Sequence, residues 1–154
     1  MTAYGLLALL LVGQLASPNL VLDPHPHTHG LDMAGYEHYL GHPVVSGVYR
    51  IGGEGELYIA LGRKASQAFP YSRGKSIDIY VGDRTGLALR KLGISRAVNA
   101  IDMNHICGLS GHATVELSGV WTGIVEDRRE YSSDLVRVIA KTTARFENCA
   151  GVVP

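Results

Sequence analysis

Hydrophobic and polar residues alternate in the middle of this chain. Apolar side chains occupy every second position in residues 57–61 and again in residues 77–81. A period of two places one face of a strand in a core and the other in solvent, so both runs predict half-buried β-strands. A third, less regular run at residues 87–92 follows Gly82, whose access to positive φ suits a tight turn. The segment 48–93 therefore predicts a β-rich unit built from hairpins.

The last third of the chain predicts further strands. Its polar segment at residues 127–134 is expected to be a loop, because it separates two apolar stretches. Trp121 is the only tryptophan, and we expect it to anchor this sheet or an interface. The expected strands cover residues 113–117, 120–126 and 135–146.

One short helix is expected ahead of these strands. Ile94, Val98 and Ile101 are spaced as on one face of a helix, and Gly108 is suited to end it. The 154 residues are enough for one ordinary core. The predicted fold class is therefore mainly β with one or two short helices, arranged as a small β-barrel or a sandwich-like unit with hairpins.

Residues 1–45 differ in composition from the rest of the chain. They are expected to form an apolar N-terminal arm and a histidine-rich connector, ahead of a single β-rich domain at residues 46–154. The apolar run at residues 4–18 is shorter than the roughly 20 residues that cross a bilayer, so no membrane span is expected. We expect a buried helix or strand, in the core or in a subunit interface, and a cytoplasmic location. The alternative is a secretory signal in residues 1–17.

Five of the seven histidines fall within 18 residues of the connector. Alternate side chains of an extended chain point the same way, and residues four apart share a face if residues 33–41 form a helical turn. Neutral imidazole is a common ligand of transition metals, so a divalent ion such as zinc is a candidate cofactor. The alternative is an exposed connector whose histidines titrate or pack. The candidate metal ligands are His25, His27, His29, His38 and His42.

Charge is distributed unevenly, although the formal net charge is zero. Residues 1–45 contain three acids and no Lys or Arg, a net −3. Residues 46–96 contain nine bases and four acids, a net +5, and residues 97–154 contain five bases and seven acids, a net −2. The central unit is thus the part suited to an anionic partner, whereas overall neutrality favours assembly over bulk nucleic-acid binding.

Two stretches of the central unit resemble the AbrB-like swapped-hairpin domain. Residues 50–59, where glycines precede a short apolar strand, are similar to the family's opening strand, and residues 77–92 are similar to its closing hairpin. The resemblance covers residues 48–93, with residues 94–154 as a helix and sheet extension. It implies an intertwined homodimer that lays basic loops on DNA and reads its shape. The residues that would contact phosphates are Arg50, Arg63, Lys64, Arg73 and Lys75.

A generic hairpin unit with a solvated basic face is the alternative to that resemblance. No phosphate-binding glycine loop, His-Glu-x-x-His or Gly-x-Ser-x-Gly motif indicates an enzyme. The resemblance favours a DNA-binding homodimer that regulates transcription. The apolar N-terminus and the neutral charge favour a self-assembling coat or filament subunit instead. Metal binding by the histidines is a further alternative, and Cys107 and Cys149 are either reduced or paired.

Overall fold

A computed structural model of the 154-residue chain describes residues 19–24, 35–52, 55–82, 86–98 and 106–148. Those residues form eight strands and three short helices, which confirms the mainly β fold class. The strands are β1 (Val21–Leu22), β2 (Glu37–Leu40), β3 (Val44–Gly52), β4 (Leu57–Leu61), β5 (Ile77–Val81), β6 (Ile106–Val125), β7 (Arg128–Lys141) and β8 (Arg145–Asn148). The helices are α1 (Arg63–Ser66), α2 (Leu87–Leu92) and α3 (Ser95–Val98).

Five of these strands close a barrel. The order around it is β6-β3-β4-β5-β7, and β7 pairs again with β6. Neighbouring strands are antiparallel except β5 and β7, which run parallel. Because β3, β4 and β5 follow one another and β6 returns beside β3, these four strands have the Greek-key order. Of the two predicted architectures, the small barrel is therefore the one that forms.

Strand β6 is the central strand of the sheet and pairs with four other strands. Its first residues pair with β3 and β8, and its last residues pair with β2 and β7. The sequence predicted two strands here, at residues 113–117 and 120–126, and that division is wrong. The apparent break is a β-bulge around Gly119, whose φ of +65° suits glycine, so the strand bends and continues.

A two-residue turn joins β6 to β7. Val125 pairs with Arg128, and the residues between them, Glu126 and Asp127, have φ of +45° and +62°. Two successive left-handed residues form the type I′ turn that matches the twist of a hairpin. The polar loop predicted at residues 127–134 is therefore wrong. No glycine marks the turn, and the polar residues after it belong to β7.

Helix α2 replaces the second strand of the hairpin predicted at residues 77–92. Ala88 and Leu92 lie four residues apart and are both buried. Gly93 follows with φ of +67°, and its N–H donates to the Arg90 carbonyl at 2.9 Å, which ends the helix. A six-residue run of mostly leucine and alanine fits both a period of two and a period of 3.6, so its pattern does not separate strand from helix.

The amphipathic helix predicted from Ile94 to Ile101 is confirmed only over α3, at Ser95–Val98. Residues 99–105 lie outside the described residues. Gly108, expected to end that helix, lies instead within β6. Gly108 is in a strand because β3 and β8 both pair with it, through Gly52 and Glu147.

Inward side chains of the strands fill the barrel. Tyr49 of β3 is fully buried because Gly111 opposite it has no side chain: a Cβ there would lie 2.5 Å from the tyrosine Oη. Burial raises the pKa of Tyr49, and its hydroxyl has no hydrogen-bond partner among the described residues. On β4 and β5 the alternation predicted from the sequence is confirmed by the burial of Leu57, Ile59, Leu61, Ile77, Ile79 and Val81.

Two strands from the predicted connector extend the sheet. Strand β2 pairs with residues 120–122 of β6, and β1 pairs with β2. Because Glu37–Leu40 is extended, the helical turn predicted at residues 33–41 is wrong for that stretch. The apolar run at residues 4–18 lies outside the described residues. Among the helices that are described, none is long and apolar enough to cross a bilayer.

Candidate nucleic-acid interface

A row of polar and aromatic side chains crosses the outer face of the barrel. The residues before and after them along β4 and β5 are buried, so alternation turns these side chains outward. Neighbouring strands are about 4.8 Å apart, so a row over five strands spans about 19 Å. The register places these residues side by side: Arg145, Ser110, Arg50, Tyr58 and Tyr80. We call this set the aromatic row.

Tyr58 and Tyr80 form an aromatic pair at one end of the row. Their ring centroids are 5.5 Å apart with the planes inclined by 59°, and Tyr80 is 39% exposed. The Tyr58 hydroxyl donates a hydrogen bond to the Glu56 carboxylate at 3.0 Å. Burial, followed by this bond, raises the pKa of Tyr58, so its phenol is neutral at physiological pH. The pair therefore presents aromatic surface next to Arg50 in the register.

An open trough of about 470 Å³ lies beside the aromatic row on the same face. It exists because the next outward positions on β3 and β4 hold Val48 and Ala60, which are smaller than Arg50 and Tyr58. The two strands also approach closely, since a Cβ on Gly47 would lie 2.4 Å from the Ala60 carbonyl oxygen. The residues lining the trough are Ser46, Gly47, Val48, Ala60, Gly62, His112, Ala113, Thr114, Ala140, Lys141 and Thr142.

Four of the five predicted phosphate-contacting residues lie on the connection between β4 and β5. Arg63 and Lys64 are exposed on α1, whose capping glycine lines the trough. Arg73 and Lys75 are exposed on the loop that follows. The fifth, Arg50, is exposed in the aromatic row. Of these five cations, the fold thus places one in the row, two on the helix that follows the trough residue Gly62, and two on the adjoining loop.

Hydrogen bonds fix the backbone that carries these cations. The buried Ser66 hydroxyl bonds the carbonyl oxygens of Arg63 and Lys75. From β7, the Tyr131 hydroxyl donates to the Pro70 carbonyl at 2.8 Å. The connection is therefore tied to itself at both ends and to the barrel in its middle.

A tyrosine on the same loop contacts two other strands. The guanidinium carbon of Arg129 lies 3.9 Å from the Tyr71 ring centroid. The Tyr71 hydroxyl donates to Glu37 at 3.0 Å, and Tyr39 donates to the other oxygen of that carboxylate. Burial, followed by hydrogen bonds with Tyr71 and with Glu37, raises the pKa of Tyr39. Contacts of Tyr71 with Glu37 and Arg129 therefore attach the loop that carries Arg73 and Lys75 to β2 and β7.

Carboxylates border this face but do not line the trough. Glu56 accepts the Tyr58 hydroxyl bond, and Asp78 is exposed opposite Ala60. Glu116, farther along β6, accepts a hydrogen bond from Arg137 at 2.5 Å. A carboxylate disfavours an anion held near it. The potential therefore favours an anionic ligand in the trough over one at the Asp78 edge.

The described histidines of the predicted metal set have separate partners. His38 bonds Asp23 at 3.1 Å and stacks on Trp121 with ring centroids 4.1 Å apart, which joins β2 to β6. His42 lies 3.4 Å from Glu116. Within the described ranges, no three His, Cys, Asp or Glu side chains come together as a metal site requires. His25, His27 and His29 lie outside those ranges, as does Cys149.

Sequence reasoning missed both the aromatic row and the trough. The alternation that predicts the buried faces of β4 and β5 also turns Tyr58 and Tyr80 outward, so a signal for their exposure was present. The register that makes the two tyrosines neighbours depends on pairing between strands, which the pattern does not contain. Comparison of the chain with protein-family models, curated proteins and solved structures finds no match.

Proposed function

We propose that this chain binds single-stranded nucleic acid on the outer face of β3, β4 and β5. The observation that carries the proposal is the contact between the outward rings of Tyr58 and Tyr80, next to Arg50 in the register. Stacking of a base on an aromatic side chain contributes about 1–3 kcal/mol, whichever base it is. The exposed cations Arg63 and Lys64 beside the trough supply partners for the phosphates.

The geometry favours a single strand over a duplex. Stacking on side chains requires bases with free faces, and unpaired nucleotides offer them. Reading a duplex through its major groove commonly uses a helix long enough to lie in it, whereas the described helices have four to six residues. The AbrB-like resemblance implies contact with DNA, and the proposal is that the strand contacted is unpaired.

An analogy of architecture supports the same proposal. Five-stranded Greek-key barrels of the OB type bind oligonucleotides and oligosaccharides on the face of their second and third strands. In this barrel those strands are β4 and β5, which carry Tyr58 and Tyr80. One architecture hosts many functions, so the proposal is carried by the side chains and the analogy only agrees with it.

Fluorescence anisotropy of a labelled thymidine octamer tests the proposal. We expect the 154-residue chain to bind the octamer at low salt and to lose affinity as salt rises, because phosphate contacts release counterions. An unlabelled duplex of mixed sequence is expected to compete more weakly than unlabelled octamer. Absence of binding at low salt would contradict nucleic-acid binding, and stronger competition by the duplex would contradict the preference for single strands.

Self-association is a second candidate function, favoured by the apolar edge of the sheet. Val21, Leu22 and Leu40 are 63%, 51% and 47% exposed, and among the described residues β1 pairs with β2 alone. An apolar edge strand is a template to which a second copy can add a strand. Light scattering should then give a mass above the 16.5 kDa monomer that falls in a Leu22→Lys variant. A monomer in both proteins would contradict self-association, including the homodimer implied by the resemblance.

Zinc binding at the histidine cluster stays a prediction. Calorimetric titration of the full-length protein with zinc tests it, with the His25→Ala/His27→Ala/His29→Ala variant as the comparison. Equal zinc affinity in the two proteins would contradict a site at those residues.

A further inference from the structure

We infer that the trough holds the sugar–phosphate backbone of the strand whose bases stack on the aromatic row. The inference rests on the proposed function, and it adds which side of the strand faces which surface. Bases would lie over Tyr58 and Tyr80, and phosphates would lie over the small residues centred on Val48 and Ala60. The preferred ligand is then a strand several nucleotides long, and an isolated base or nucleotide binds more weakly.

The spacing of the two surfaces matches the two sides of a nucleotide strand. Ala60 is two residues from Tyr58 along β4, a separation of about 7 Å. That step is comparable with the reach from a base to its own phosphate. Trough residues lie on β7, β6, β3 and β4, and three intervals between adjacent strands give a length of about 14 Å. An extended strand can place more than one phosphate over that length.

The chemistry of the lining selects an anion that also accepts hydrogen bonds. The lining includes the side chains of Ser46, Thr114 and Thr142, and the exposed imidazole of His112. The hydroxyls of Ser46 and Thr114 lie 2.7 Å apart and bond each other, so the hydroxyl that accepts this bond keeps its own proton free to donate, and the pair is exposed to solvent. Hydroxyl and imidazole groups are common partners of phosphate and sugar oxygens.

Charge around the trough agrees with a phosphate backbone as its occupant. Its lining contains one lysine, Lys141, and no carboxylate. The Lys141 ammonium donates to the Leu92 carbonyl, which places its charge between α2 and the end of β7. Arg63 and Lys64 follow the glycine at the other end of the trough. Arg63 and Lys64 therefore stand at one end of a lining without acids, a charge complementarity that favours a polyanion over a neutral oligosaccharide.

Filling the trough while leaving the tyrosines intact tests the inference. Ala60→Phe and Ala140→Phe each place a ring in the trough from opposite ends, and Ser118→Phe adds a ring at an exposed position outside the lining. Binding of the thymidine octamer and of an octamer with abasic sites in place of every base would be measured by anisotropy. Thermal unfolding of each variant would be measured in parallel.

The wild-type protein should bind the abasic octamer measurably, because its phosphates remain, and the thymidine octamer more tightly. Both trough variants should lower the affinity for the thymidine octamer about tenfold and abolish binding of the abasic octamer. Ser118→Phe should change neither affinity. Binding of both octamers at wild-type affinity by a folded Ala60→Phe or Ala140→Phe variant would overturn the inference.

The inference and the proposed function fail in distinguishable ways. If Tyr58→Ala/Tyr80→Ala weakens binding of the thymidine octamer and the folded trough variants do not, the stacking surface is supported and the assignment of the trough to the phosphates is wrong. If the wild-type protein binds neither octamer, both fall. If a trisaccharide binds the wild-type protein but not the Ala60→Phe variant, and neither octamer binds, the trough is a site for a neutral sugar. Both assignments to nucleic acid are then wrong.

Discussion

Tyr58 and Tyr80 are direct partners across β4 and β5, and their rings touch on the outer face of the barrel with centroids 5.5 Å apart. A cross-strand aromatic pair contributes to the stability of a sheet wherever it occurs. This one is notable for its setting, because Arg50 follows it in the same row and the trough lies directly beside it.

Salt dependence should identify the cations that contact phosphate. Each phosphate contact on a single strand contributes about 0.7 to the slope of log affinity against log salt. Arg63→Gln and Lys64→Gln should each lower the slope for a thymidine octamer by about that amount. Arg137→Gln is the matched control, since Arg137 is exposed but bonded to Glu116. If the slopes are unchanged in Arg63→Gln and Lys64→Gln, the cations of α1 do not contact phosphate.

Removal of the Asp78 carboxylate should strengthen binding. Asp78 is exposed and pairs with Ala60 at the edge of the trough, where its charge opposes a phosphate. Asp78→Asn is expected to raise octamer affinity severalfold at low salt and to have little effect at high salt, where the repulsion is screened. Asp134→Asn, at an exposed position on β7, is the control. An Asp78→Asn protein that binds more weakly than wild type would indicate that the carboxylate contacts the ligand favourably.

Tyr49→Phe should stabilise the barrel. The Tyr49 hydroxyl is buried and has no partner among the described residues, so the variant removes an unsatisfied polar group at a gain of about 1–3 kcal/mol. Urea unfolding at neutral pH measures this difference. A loss of stability in Tyr49→Phe would show that the hydroxyl has a bonding partner.

The stability of the wild-type protein should also fall in alkali because of Tyr49. Burial raises the pKa of Tyr49 above its unfolded value of 10.0. The stabilisation of the neutral phenol is therefore fully present below pH 10.0 and is lost as the pH rises through the folded pKa. Tyr49→Phe should lose less stability than wild type between pH 9 and about pH 11. Equal losses in the two proteins would assign the alkaline effect to other groups.

Gly47→Ala should destabilise the protein where Gly52→Ala does not. A Cβ on Gly47 would lie 2.4 Å from the Ala60 carbonyl oxygen, a backbone atom that cannot turn away, whereas a Cβ on Gly52 meets nothing within 4 Å. We expect Gly47→Ala to cost about 1–3 kcal/mol in urea unfolding, the usual penalty of overpacking. A Gly47→Ala protein as stable as Gly52→Ala would contradict this close approach of β3 and β4.

The local pattern of apolar residues predicted where barrel strands occur better than it predicted how long the strands are and how they are connected. Alternation located β4 and β5 to the residue because branched aliphatic side chains occupy every second position of each strand. It failed at β6, where a glycine bulge interrupts the pattern without ending the strand, and at the Glu126 turn, which uses left-handed residues that are not glycine. It also failed at α2, because six residues are too few to separate the two periods.

The sequence named candidate cations for the site but did not predict its shape. The AbrB-like resemblance implied phosphate contacts at Arg50, Arg63, Lys64, Arg73 and Lys75; all five are exposed, and their contact with a nucleic acid stays a prediction. The aromatic row joins residues of β3, β4, β5, β6 and β8, and the trough arises where small residues on four strands coincide. Such features depend on register and closure, which are set by long-range pairing and leave no short motif in the sequence.

The central claim is tested most directly by the affinity of Tyr58→Ala/Tyr80→Ala for the thymidine octamer. Tyr80→Phe keeps the ring, and Phe146→Ala removes an exposed ring from β8 outside the aromatic row, so these two variants are the controls. If bases stack on the pair, the double variant should bind about tenfold more weakly or worse, while both controls stay near wild type. Wild-type affinity in the folded double variant would contradict the stacking surface and, with it, the proposed function.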